Sequence, residues 1–158
     1  MYKIKKKIIV IISFLVLHAC GYSPIYLNQK DNNQVLKLIS INGDDEINYQ
    51  LENLINNYSK DNGNSKKIYL LNITSNYTKS TISKDTRGNA TVYLLNASII
   101  FEVTQGESKK IYNLSDSITI NNLDDEFEQI AYEQSIKENF ALSIFQKFFV
   151  QILTFEWF

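Results

Sequence analysis

Thr91-Val92-Tyr93-Leu94-Leu95-Asn96-Ala97-Ser98-Ile99-Ile100-Phe101-Glu102-Val103-Thr104 sets Tyr93, Leu95, Ala97, Ile99, Phe101 and Val103 at every second position. Successive side chains of a strand point to opposite faces, so this spacing predicts a long strand with one face in a core. The other face holds Asn96, Ser98 and Glu102, which suits water or a wet partner surface. Gly106 follows in a short turn. Lys109 to Ile120 then alternates again as an antiparallel partner, with Tyr112, Leu114, Ile118 and Ile120 on one side and Asp116 interrupting.

Working outward, Lys67 to Thr78 alternates with Tyr69, Leu71 and Ile73 on one face, and Val35 to Ile41 is rich in β-branched and aliphatic residues. Between these two strands Gly43 punctuates the chain. Asp44 is a fair N-cap, with Asp45 and Glu46 in the first turn, where carboxylates favour the helix dipole. Ile47, Leu51, Leu54, Ile55 and Tyr58 recur at helical spacing until Lys60 and Gly63 close the helix. At the other end, Asn122 or Asp124 caps a long final helix. Its expected core stripe is Phe127, Ile130, Ala131, Gln134, Ala141, Phe145, Phe149 and Ile152, widened by Ile136, Phe140, Ile144 and Phe148. The order β-α-β-β-β-α predicts an α+β, two-layer sandwich: a four-stranded, mostly antiparallel sheet with two helices on one face.

The N-terminus sets a compartment. Lys5-Lys6-Lys7 precedes an apolar run from Ile8 to Leu17, and Leu17-His18-Ala19-Cys20 closes it with the only cysteine of the chain. A basic start, a short apolar core and a small residue before the junction read as a secretory signal, and the cysteine at the junction makes it a lipoprotein signal. A run of ten residues is too short to span a bilayer, which takes about 20. The expected organisation is a signal over 1–19, a lipidated tether over 20–34 and a single domain over 35–158. Two or three acyl chains on Cys20 give stable anchoring, where one is marginal.

Loss of the signal removes Lys3, Lys5, Lys6 and Lys7 and takes the formal charge from −1 to −5. Bulk charge therefore argues against a nucleic-acid binder. The charge is uneven: residues 60–87 carry +4 and residues 116–138 carry −6. One face could therefore meet an anion. His18 leaves with the signal, so the processed chain has no histidine and no thiol besides Cys20. That removes Ser-His-Asp and Cys-His catalysis and the usual zinc ligand sets. No P-loop or dinucleotide fingerprint is present. The expectation is a non-enzyme with no cofactor and no metal.

Cys20-Gly21-Tyr22-Ser23-Pro24-Ile25-Tyr26 resembles the processed N-terminus of the lipopolysaccharide-assembly lipoprotein family, LptE, whose members often begin Cys-Gly-aromatic-x-Pro-aliphatic-Tyr. The element order matches that family's fold. Thr86-Arg87-Gly88-Asn89-Ala90 with Tyr93-Leu94-Leu95 resembles its central region, and Ala131-Tyr132-Glu133-Gln134-Ser135-Ile136 resembles the start of its last helix. His18 in the lipobox and the aromatic end (Phe148, Phe149, Phe155, Trp157, Phe158) depart from the family's common pattern. The resemblance implies an outer-membrane lipoprotein on the periplasmic side. Such a protein plugs and stabilises an LptD-type β-barrel and binds lipopolysaccharide on its way to the cell surface. Gly21 after the cysteine fits export to the outer membrane.

Lipopolysaccharide carries phosphates, which Lys and Arg recognise by charge-assisted hydrogen bonds. The candidate contacts are Lys79, Lys84 and Arg87, around an expected turn from Ser80 to Ala90 in which Gly88 allows a tight bend. The alternative function is an auxiliary lipoprotein of an envelope phospholipid transporter, which contacts a protein channel without binding lipopolysaccharide.

Overall fold

A computed structural model of the chain describes residues 34–58 and 67–154. The signal, Cys20, the tether up to Asn33, Lys60, Gly63 and the last aromatic residues, Phe155, Trp157 and Phe158, lie outside the described residues. The chain follows the order β1 (Gln34–Asn42), α1 (Asp45–Tyr58), β2 (Lys67–Lys84), β3 (Ala90–Gln105), β4 (Ser108–Asn121) and α2 (Glu126–Thr154). The strands lie in the order β1-β2-β3-β4 in one sheet. β1 and β2 are parallel, and α1 supplies the crossover that parallel strands require. The β2–β3 and β3–β4 pairs are antiparallel. The α+β sandwich read from the sequence is the fold observed.

The stripe on β3 is the floor of the core. Leu95, Ala97, Ile99, Phe101 and Val103 are fully buried, and Tyr69, Leu71 and Ile73 of β2 flank them. The roof is α1, through Ile47, Leu51 and Ile55, and α2, through Phe140, Ala141, Ile144, Phe145, Phe148, Phe149 and Ile152. Phe148 stacks on Phe101 at 4.1 Å between ring centroids and meets Tyr112 edge-on at 5.5 Å. Tyr58 closes the far end of α1 against Phe145 and Phe149.

Three local features differ from the sequence reading. β1 carries a register shift between Leu38 and Ser40. The extra residue, Ile39, faces outward, and the shift lets Leu36, Leu38 and Ile41 all reach the core despite their odd spacing. The cap of α2 is Asp125, not Asn122 or Asp124. Its Oδ1 accepts from Phe127 N at 2.7 Å and Glu128 N at 3.0 Å. Gln129 takes up the preceding loop instead, its Oε1 accepting from Leu123 N at 2.9 Å.

The third difference is the stripe on α2. It is buried from Ile136 onward, but Phe127 is 84% exposed, Ile130 is 57% exposed, and Ala131 and Gln134 also face solvent. The cause is the length of α1. Lys137 of α2 meets Asp44 and Glu46 at the start of α1, and Phe149 meets Tyr58 at its end. The first turns of α2 therefore run past the helix that would have covered their apolar flank.

Candidate functional site

The β2–β3 hairpin outruns the sheet's first strand. β1 pairs with β2 only as far as Asn42 against Thr74, whereas β2 continues against β3 to Lys84 against Ala90. At about 3.3 Å per residue, β2 runs roughly 30 Å beyond the end of β1. The expected turn from Ser80 to Ala90 is thus shorter, because Thr78 to Lys84 remain strand. Thr78 and Thr81 are good strand formers, and their partners Asn96 and Tyr93 on β3 hold them extended.

The tip is built around Asp85. Its Oδ1 accepts from Arg87 N and Asn89 N, both at 2.8 Å, and its Oδ2 accepts from Asn89 Nδ2 at 3.1 Å. Backbone bonds from Asp85 N to Asn89 O and from Gly88 N to Asp85 O close the loop. Gly88 takes φ +89°, which side chains disfavour. The hydrogen bonds from Asn89, its backbone N–H first and its side chain next, hold the Asp85 carboxyl below the usual carboxylate range. Arg87 and Lys84 stand exposed on this ordered tip.

Lys79 is placed differently. It lies five residues before Lys84, about 17 Å along the strand. Its Nζ pairs with Glu133 of α2 and lies 4.1 Å from the centroid of the Tyr93 ring. Glu133 also accepts from Gln129 Nε2 at 2.7 Å and from Tyr77 Oη at 3.5 Å. Lys137, one turn on, bonds Asp44 Oδ2 at 2.8 Å and Glu46 Oε2 at 2.5 Å and lies over the Tyr77 ring. Burial alone would lower the Lys137 pKa, but its bonds to the two carboxylates outweigh burial and raise it. Burial first, and then Glu133, push the Tyr77 hydroxyl up to about 12. Lys84 and Arg87 therefore share the exposed hairpin tip, while Lys79 is held by a charge network under α2.

Glu133, Lys137 and Tyr77 were not singled out in the sequence. The signal present there is an i, i+4 Glu–Lys pair inside an otherwise apolar helix face. A companion cluster sits where Gly43 turns the chain from β1 toward α1. Ser75 Oγ donates to Asn48 Oδ1 at 2.7 Å and accepts from Asp44 N at 2.9 Å. Gly43, at φ +117°, lies so close that an added Cβ would come within 1.8 Å of Ser75 O. On β4, Asp116 bonds Ser143 Oγ at 2.8 Å and Lys147 Nζ at 2.9 Å, which explains a carboxylate in an apolar row. The Lys147 hydrogen bond is the main cause of its lowered pKa.

The sheet face turned away from the helices is neutral and polar at its centre. Asn76, Ser98 and Ser115 stand in one cross-strand row, and Thr78, Asn96 and Ser117 in the next. Among the described residues no cluster of Asp, Glu, His and Cys is arranged to hold a metal ion, and no helix is long and apolar enough to cross a membrane.

No family model and no curated protein matches the chain. Solved structures share its fold. The rare lipoprotein B from Shewanella oneidensis superposes with a TM-score of 0.52 at 16% identity, over 76% of this chain and 96% of its own. The uncharacterized lipoprotein B from Nitrosomonas europaea gives a TM-score of 0.50 at 13% identity, over 76% and 84%. At these identities the likeness is one of fold.

Proposed function

We propose that this chain is a lipid-anchored outer-membrane lipoprotein of lipopolysaccharide assembly, seated in the lumen of an LptD-type β-barrel and contacting lipopolysaccharide through the β2–β3 hairpin. Both fold neighbours reported above are named lipoproteins, and the stretch Cys20–Tyr26 of this chain reads as a lipidated start. The observation that carries the reading is the hairpin itself. A hydrogen-bonded tip holds Arg87 and Lys84 at the end of a three-stranded β2–β3–β4 arm that outruns β1, and a phosphate is met best by a guanidinium fork on a fixed support. The neutral rows of Asn, Ser and Thr on the open sheet face suit the polar interior of a wide barrel. The role is non-catalytic, with Cys20 carrying the anchor.

The test is lipopolysaccharide binding by the chain from residue 20 with Cys20→Ser. Arg87→Ala should weaken it by about 1–3 kcal/mol, as expected for a charge-assisted bidentate contact. Arg87→Lys should recover only part. Lys79→Ala should weaken binding less than Arg87→Ala, because Lys79 already has Glu133. A folded Lys84→Ala/Arg87→Ala double variant that binds as well as the parent would overturn the hairpin as the contact. An auxiliary lipoprotein of a phospholipid transporter remains the second reading, favoured by the same fold and anchor if lipopolysaccharide does not bind at all.

A further inference from the structure

The β1–α1 unit stops short of the rest of the molecule and leaves a notch. On the sheet side, β2 from Asn76 to Lys84 has β3 on one edge and no described strand on the other. Apart from Tyr77, every residue of that stretch is exposed. The register shift between Thr81 and Ser83 is a bulge, so the regular free edge spans Asn76 to Thr81. On the helix side, Ile130 and Phe127 stand on the flank of α2 that meets α1 further along. Ile130 precedes Lys137 by seven residues, and Phe127 precedes Gln134 and Ala141 by successive steps of seven, so each set shares a side of the helix. Lys137 lies at Tyr77 and Glu133 at Lys79, so α2 runs antiparallel to β2. At 1.5 Å per residue, Ile130 and Phe127 fall beside the 80–82 stretch of the edge.

We propose that this notch receives an extended strand of another protein, added to the free edge of β2 with apolar side chains against Ile130 and Phe127. Strand addition draws affinity from main-chain hydrogen bonds and selectivity from the pockets that alternate side chains enter. Natural edges are normally blunted by a lysine, a proline or a bulge. Here the bulge guards only the far end, and the Lys79 head is turned onto Glu133 and away from the edge. The charge of the occupant follows from its surroundings. Asp124, Asp125, Glu126 and Glu128 crowd the start of α2, and none of them is in an ion pair among the described residues. They outnumber Lys84 and Arg87 on the hairpin. The occupant therefore carries a basic residue at its hairpin-side end. A second copy of this chain is a poor fit, because an antiparallel pair of these edges would set Asn76, not a basic residue, opposite each acidic helix start.

This inference does not rest on lipopolysaccharide binding or on a barrel partner; it needs only the free edge and its flank. The test uses the full chain in detergent and two labelled peptides, Thr-Val-Thr-Val-Thr-Val-Lys-Lys and its reverse, one for each strand direction. One of them is expected to bind by fluorescence anisotropy and to slow amide exchange within residues 76–81. N-methylation of alternate peptide residues, glutamate in place of the two lysines, and Ile130→Glu in the protein should each weaken binding at least tenfold. Absence of added protection at 76–81 with either peptide would overturn the proposal, as would equal binding by the N-methylated peptide. Sedimentation showing the free chain to be a dimer broken by Ile130→Glu would replace the foreign strand with a second copy, and so would also refute it.

Discussion

Phe148→Ala probes the joint between α2 and the sheet. Phe148 is fully buried, stacks on Phe101 with the ring planes 7° apart, and meets Tyr112 edge-on. Truncating a buried phenylalanine costs about 3–5 kcal/mol through lost transfer energy and the cavity left behind. The lost ring pairs place this site at the upper end, about 4–5 kcal/mol. A domain of this size has about 5–15 kcal/mol in all, so the variant should fold but only just. With a urea slope of about 2 kcal/mol per molar, the midpoint should fall by roughly 2 M at unchanged slope. The assay is urea unfolding followed by far-UV circular dichroism, with Phe127→Ala as the internal control. Phe127 lies on the same helix but is almost wholly exposed, so its truncation should move stability by no more than about 0.5 kcal/mol. Equal midpoint shifts for the two variants would refute the packing described for α2.

Other outcomes follow from the polar contacts. Gly43→Ala should lower stability by at least 1–3 kcal/mol, roughly, because the added methyl meets Ser75 O and φ +117° is strained; an unchanged melting temperature would contradict that close approach. Ser75→Ala leaves Asn48 Oδ1 and Asp44 N without their partner and should cost about 1–3 kcal/mol by the same urea assay. Asp116 has a folded pKa below its ordinary 3.8, so its contribution is present in full above that value and is lost as pH falls through the lower folded value. The urea midpoint should therefore drop as pH falls below about 4, and Asp116→Asn should flatten part of that drop. Cys20→Ser should abolish fatty-acid labelling and release the protein from membranes.

What could be read from the sequence was what repeats. The β3 stripe, its partner row on β4 and the Ile47–Tyr58 spacing on α1 each have one buried face, so period alone finds them. The far half of β2 has none. Thr78, Ser80 and Ser83 lie on an edge exposed to both sides, and their polar character resembles a turn until the pairing with β3 is seen. The bulge at Ile39 hid for the opposite reason, since it keeps three apolar residues inward by breaking the period. On α2 the apolar pattern runs from Phe127 to Ile152 with Gln134 and Lys137 set in it, but burial depends on where α1 begins, a fact about a different segment. The same blindness applies to Lys79. Its sequence neighbours suggest a basic loop, while Glu133, 54 residues away, makes it half of an ion pair.

The partners of this chain can be identified by purifying the native membrane complex through a tag on it. A large β-barrel protein should co-elute in equal amount, with lipopolysaccharide in the same fraction, and Lys84→Ala/Arg87→Ala should lower the lipopolysaccharide while leaving the barrel. Co-elution with an inner-membrane transport ATPase or channel, with no barrel and no lipopolysaccharide, would contradict the proposed role.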